Sequence, residues 1–118
     1  MDNLDFWKSD YFINTARRTA KTRGYNPNNL FLANNNKNKL LYVHKDKKLY
    51  FGRLGYGDFI YYSSPEFVKT GKFGDDKEKY LRYAKRKRYV FRKSHNAMSD
   101  KFNLGKYTPN ELALKILW

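Results

Sequence analysis

The chain has 118 residues, 25 of them lysine or arginine against 11 aspartate or glutamate, for a formal charge of +14. Its 41% hydrophobic and 19% aromatic content excludes a disordered polyelectrolyte, and the length suits a single domain over 1–118. The absence of cysteine excludes disulfides and thiolate chemistry, and the polar start MDNLDFWKSD lacks a signal-peptide core, so a reducing intracellular setting is expected.

A charge this large exceeds what solubility needs and implies an acidic partner: nucleic acid first, an acidic protein surface next, an anionic membrane last. No stretch approaches the ~18 apolar residues that would span a bilayer.

Taken in order, Leu4–Thr22 places Leu4, Trp7, Tyr11, Phe12, Ile13, Ala16 and Ala20 at three- and four-residue spacing, the pattern of an amphipathic helix closed by Gly24. Asp5 and Asp10 come early and Arg17, Arg18, Lys21 and Arg23 late, which complements the helix dipole. The same cations could instead contact phosphate. Tyr25–Leu30 reads as a helical turn with Asn26 as cap and Pro27 first. Its pattern Y-x-P-N-x-L recurs at Tyr107–Leu112, but the flanks do not follow, so convergence is the simpler reading. Asn34–Asn38 is a polar loop.

Lys39–Tyr62 is the densest run of leucine, β-branched and aromatic residues and predicts an antiparallel meander: Lys39–His44, a turn at Lys45–Lys47, Lys48–Arg53, a break over the glycine-rich Gly52–Gly57, then a third strand Phe59–Tyr62. Alternation sends Leu41 and Val43 to one face, Leu40 and Tyr42 to the other, with both at least partly covered. Ser64-Pro65-Glu66 then opens one or two helical turns that Gly71 closes.

With Asp75 or Asp76 as cap, a helix is predicted over Lys77–Lys93, nine of whose seventeen residues are basic and only Glu78 acidic. Tyr80, Ala84, Lys87 and Phe91 form its expected packed stripe, with Tyr83 and Val90 beside it. Solvated helices usually intersperse both signs, because like charges at i,i+4 repel. The excess therefore favours a polyanion-contacting surface of Arg82, Lys85, Arg86, Lys87, Arg88, Tyr89, Arg92 and Lys93, joined by Arg17 and Arg18. Rings interleaved with cations supply stacking planes for unpaired bases beside phosphate neutralisation.

Ser94–Lys106 reads as a polar connection anchored by Met98, Phe102 and Leu104. Thr108, Pro109 and Glu111 make a capping box for a C-terminal helix so apolar that Leu114, Ile116, Leu117 and Trp118 should bury against a partner protein where one small sheet cannot cover them all.

Three segments, Phe51–Phe59 (FGRLGYGDF), Lys85–Lys93 (KRKRYVFRK) and Thr108–Trp118 (TPNELALKILW), resemble those of small basic proteins of large double-stranded DNA viruses and virophages of protists and algae. The resemblance spans roughly Tyr25–Trp118. It implies a viral source and carries no activity with it.

Catalytic groupings are sparse. His44 and His95 read as surface residues without an i,i+4 partner or nearby acid pair to make a metal site, and no cofactor is expected. Tyr42, Tyr50-Phe51-Gly52 and Arg53 faintly echo the GIY-YIG nucleases, but Leu40 stands where that motif has glycine. Asp58 with Asp75-x-Lys77 echoes PD-(D/E)xK, but Asp75 falls in a glycine-flanked loop. The expected protein is thus α+β, a meander of about three strands packed by an N-terminal, a basic and a short C-terminal helix. Its expected role is non-enzymatic: a minor capsid or cement-type virion component, its partners other capsid proteins and possibly DNA. The alternative is a free, sequence-nonspecific nucleic-acid-binding protein, and the lesser one a small nuclease. The expected location is the virion, otherwise the host cytoplasm or viral assembly site.

Overall fold

The computed structural model describes residues 4–102 and 105–118, the side chains of 99–102 excepted. Its first element is a 3-10 turn, Phe6–Lys8, followed by helix α1, Asp10–Thr22. The continuous helix expected from Leu4 breaks at Ser9, whose extended backbone (ψ 156°) starts α1 afresh. The Ser9 hydroxyl accepts from the Phe12 amide at 3.2 Å and donates to the Phe6 carbonyl at 2.6 Å. A serine that can satisfy two backbone groups at a helix start competes well with its place in a helix interior. The break turns both Phe6 and Trp7 into the core.

The α+β class and the small antiparallel meander hold, with strand order β1-β2-β3: β1 Leu30–Leu32, β2 Asn38–His44 and β3 Lys47–Arg53. Leu30 faces Tyr42 and Leu32 faces Leu40, while Leu40 pairs with Phe51 and Tyr42 with Leu49, so one face of the sheet lines the core. Leu41 and Val43, on the other face, are half-covered. A two-residue turn, with Lys45 at φ +56°, joins β2 to β3.

The third strand is not the one expected. Phe59–Tyr62 is a helical turn, α2, because the Asp58 carboxylate accepts from the Tyr61 amide at 2.8 Å and caps it. The third strand is instead Leu30–Leu32, directly after the Pro27–Asn29 turn that Asn26 caps. Four apolar residues carry too little periodicity to separate strand from helix. Ser64 caps the short helix α3, Pro65–Val68, as its sequence suggests.

Helix α4 runs over Lys77–Phe102, well past Lys93, so the expected connection from Ser94 is mostly helix. Of its expected anchors Met98 is exposed, and the Phe102 side chain and Leu104 lie outside the described residues. Helix α5, Pro109–Leu112, is capped by Thr108 accepting from the Glu111 amide and continues into a π turn, Ala113–Leu117. The two Y-x-P-N-x-L segments meet: Tyr25 and Tyr107 pack edge to face at 5.9 Å, and the Tyr25 hydroxyl donates to the Lys106 carbonyl at 2.9 Å.

The C-terminal segment packs under its own chain. Leu114, Ile116, Leu117 and Trp118 are all buried, against the expectation that a partner must cover them. The sheet alone would not suffice, but α1 and α4 close over the segment as well, and Tyr62 of α2 packs on Trp118. Gly52, at φ +73°, makes the seat possible, since a Cβ there would come within 2.6 Å of the Leu117 side chain.

A buried ion pair ties these layers together. The Lys39 ammonium, only 3% exposed, sits 2.8 Å from the Asp58 carboxylate, donates to the Tyr56 carbonyl and lies 4.5 Å over the Trp7 ring. The Trp7 indole N–H donates to the same carboxylate at 3.1 Å. Burial lowers the Lys39 pKa while Asp58 opposes that shift. Removing one partner of such a pair costs about 3–5 kcal/mol, because the other charge is left buried and unpaired. Lys39→Met and Asp58→Asn should each destabilise by that order in urea unfolding, and the double variant by clearly less than their sum.

Tyr25 is pushed up to about 12, chiefly by burial and then by Glu111 and the neighbouring tyrosines. A phenol raised on folding adds stability that is complete below pH ~10 and lost as pH climbs toward 12. Unfolding titrated by alkali should therefore steepen over that window, and Tyr25→Phe should flatten it.

Candidate nucleic-acid interface

Helix α4 sorts its side chains by circumference. Tyr80 and Ala84 are buried, while Tyr83, Arg88, Phe91, Arg92 and His95 are half-buried against α2, the C-terminal segment and the Gly71–Gly74 loop. The packed stripe is thus rotated from the expected one: Lys87 and Val90 are exposed, and Arg88 takes the place against α2. The reason is a stack, the Arg88 guanidinium lying 3.4 Å over the Phe59 ring. A delocalised planar cation packs on an aromatic face as an aliphatic side chain would.

On the opposite side Arg82, Lys85, Arg86, Tyr89 and Lys93 are all exposed. At 100° per residue they fall within about 100° of arc and extend over about 16 Å of helix, the length of about five phosphates along one strand of a duplex. Tyr89 stands in the middle of this stripe, 65% exposed.

The remaining sequence-selected residues divide. Lys87 lies on the flank with its ammonium 5.3 Å over Tyr83. Arg92 donates to the Trp118 main-chain oxygen at 2.8 Å. Arg17 is held by its own fold, donating twice to the Leu30 carbonyl at 3.0 and 2.8 Å, so it braces β1 against α1 instead of facing solvent. Arg18 is exposed, with a 3.1 Å bond to the Thr15 hydroxyl.

Sequence reasoning missed an aromatic cleft beside the stripe. A cavity of about 400 Å³ is lined by Tyr56, Tyr62, Tyr83, Phe91 and Trp118, with Arg86 and Lys87 among its walls. Phe91 and Trp118 stack at 4.5 Å, and past them a second cavity of about 640 Å³ reaches Arg53 and His95. Tyr56, 65% exposed, borders both, with the Arg53 guanidinium 5.8 Å from its ring. The GRLGYG segment is the available signal, since its glycines let the loop approach closely: a Cβ on Gly57 would fall 2.2 Å from the Tyr62 hydroxyl.

Both histidines are built into ring stacks, not free at the surface: His44 lies 3.5 Å from Tyr107 and His95 3.6 Å from Phe91. Among the described residues no cluster of three metal-ligating side chains occurs. No helix among them is long and apolar enough to cross a membrane. Asp58, the acid on which the PD-(D/E)xK echo depends, is engaged by Lys39, Trp7 and the Tyr61 amide. The Lys39–Asp58 contact is also the one ion pair between described residues, so among them no cation of α4 sits within ion-pair distance of a carboxylate.

Neither protein-family models, nor curated proteins, nor solved structures provide a match to this chain.

The division of α4 has a direct consequence for stability. Tyr89→Ala and Lys93→Gln should leave urea stability within about 0.5 kcal/mol of the parent, whereas Phe91→Ala, which removes a ring stacked between His95 and Trp118, should cost about 2 kcal/mol or more.

Proposed function

We propose that the protein binds nucleic acid without sequence preference, favouring single strands, along the outward face of α4. The carrying observation is the exposed stripe Arg82, Lys85, Arg86 and Lys93, in no ion pair with a described residue, with Tyr89 exposed at its centre. Cations tracking a backbone beside open rings are the arrangement by which unpaired bases stack while phosphates are neutralised. The cleft next to Arg86 and Lys87 adds room for a base turned off the strand, with Tyr56 at its rim.

The virion-component reading rested in part on an apolar C-terminal helix in need of a partner, and the burial of that helix within the chain withdraws this part of its support. The resemblance to small basic viral proteins favours viral DNA or its transcripts as the polyanion. Binding without cleavage is part of the proposal: the engaged Asp58 argues against a catalytic acid there.

Affinity for a random-sequence single strand should fall with salt at a logarithmic slope of about −0.7 per phosphate contacted. Replacing Arg82, Lys85, Arg86 and Lys93 together with Gln should reduce that slope by about 3 while the circular dichroism stays unchanged. An unaltered slope would overturn the proposal. Oligonucleotide incubated with the protein and magnesium or manganese should remain intact; cleavage abolished by Asp58→Asn would contradict the binding-only role.

A further inference from the structure

On the other flank of α4, a small cavity of about 110 Å³ opens between α1, α2, α4 and the C-terminal segment, with Thr15, Thr19, Arg23, Phe59, Ser63 and Arg88 among its walls. Arg88 Nε is buried without a hydrogen-bond partner, alone in this among the side-chain polar atoms of the described residues. Buried donors on charged groups are almost always paired, because leaving one unmade forfeits its hydration. Its orientation is fixed by the stack on Phe59, so the guanidinium cannot swing out to water without losing that contact.

A second guanidinium, Arg23, is on the same wall, while Arg92 lies nearby but is engaged by the Trp118 main-chain oxygen. Burial lowers the Arg88 pKa first, and the Arg92 and Arg23 charges lower it further; Arg92 feels burial and then Arg23 in the same way. No carboxylate among the described residues pairs with any of the three. Arg23 and Arg88 share the wall of this cavity and repel one another, and an anion between them turns that repulsion into attraction.

From the cavity, the unpaired Arg88 donor and the Arg23 guanidinium on the same wall, we infer that this flank is a binding site for a single phosphoryl group. The size sets the class. The cavity is well below the ~300 Å³ at which drug-sized ligands are housed, so a tetrahedral oxyanion enters but a whole nucleotide does not. Arginine forks match phosphate oxygens two at a time, which favours phosphate over a spherical halide. The Thr19 position on the wall brings a hydroxyl group to the same space. A free phosphate ion and the terminal phosphate of a nucleic-acid strand present this same chemistry. The inference stands apart from the α4 stripe, which faces another side of the helix.

The test is thermal unfolding of the full chain in a non-phosphate buffer with inorganic phosphate added at constant ionic strength. The expected result is a saturable rise in Tm that chloride does not give. Arg23→Gln, an exposed position that leaves the core untouched, should weaken the apparent phosphate affinity about tenfold, and Arg88→Lys, which keeps the charge but loses the fork, should weaken it at least as much. The variant with Arg82, Lys85, Arg86 and Lys93 changed to Gln should respond to phosphate as the parent does, which separates this site from the nucleic-acid face. Competition by a 5′-phosphorylated oligonucleotide, but not by its 5′-hydroxyl twin, would assign the site to strand ends; competition by neither would assign it to free phosphate. No saturable response to phosphate, or a full response in Arg23→Gln, would overturn the inference.

Discussion

The Lys39–Asp58 pair is the contact on which the layers of this fold converge. It joins the middle strand of the sheet to the cap of α2, and through Trp7 and the Tyr56 carbonyl it fixes the N-terminal turn and the glycine-rich loop to the same point. Dehydrating two charges is expensive, and the attraction between them repays it only where other hydrogen bonds complete both groups. Here the completion is thorough: the carboxylate accepts from an indole and a backbone amide besides the ammonium. The arrangement specifies geometry, since the loop bearing Tyr56 and the helix bearing Phe59 are both set by it. Those two aromatic positions border the cleft on one flank of α4 and the small cavity on the other.

Helix α4 meets an opposite constraint. Like charges at Arg82 and Arg86, and at Arg88 and Arg92, each cost a few tenths of a kcal/mol at i,i+4 spacing. The helix persists because its other face packs Tyr80, Tyr83 and Phe91 into an aromatic layer with Phe67, Phe73, Tyr62 and Trp118. Ring packing of this kind stabilises by more than the charge pairs cost. A surface held in repulsion by its own core relaxes when a polyanion arrives, which connects the stability of the helix to its proposed role.

Capping chemistry was the most readable part of the sequence. Asn26, Ser64 and Thr108 all cap the turns their Pro-containing neighbours announce, because a short side chain bonding a backbone amide two or three residues on is a local event. The misassignments arose where distant residues decide. Phe59–Tyr62 has strand composition, but Asp58, fixed by a lysine nineteen residues earlier, caps it as helix. Arg17 and Arg88 carry the charge expected on the outward stripe, yet one is drawn to the Leu30 carbonyl and the other onto the Phe59 ring, away from that face. The exposed members of the set, Arg82, Lys85, Arg86, Tyr89 and Lys93, were legible because helical periodicity alone places them opposite Tyr80 and Ala84.

The central claim is that the outward face of α4 and its aromatic flank contact nucleic acid. Titrating isotope-labelled protein with a random single-stranded oligonucleotide and mapping amide shifts by NMR addresses it most directly. The account predicts that perturbations concentrate on Arg82, Lys85, Arg86, Tyr89 and Lys93 and on the Leu54–Gly57 loop, with the Lys45–Asp46 turn and Phe31 unmoved. Saturable shifts confined to other surfaces, or none at low salt, would contradict it.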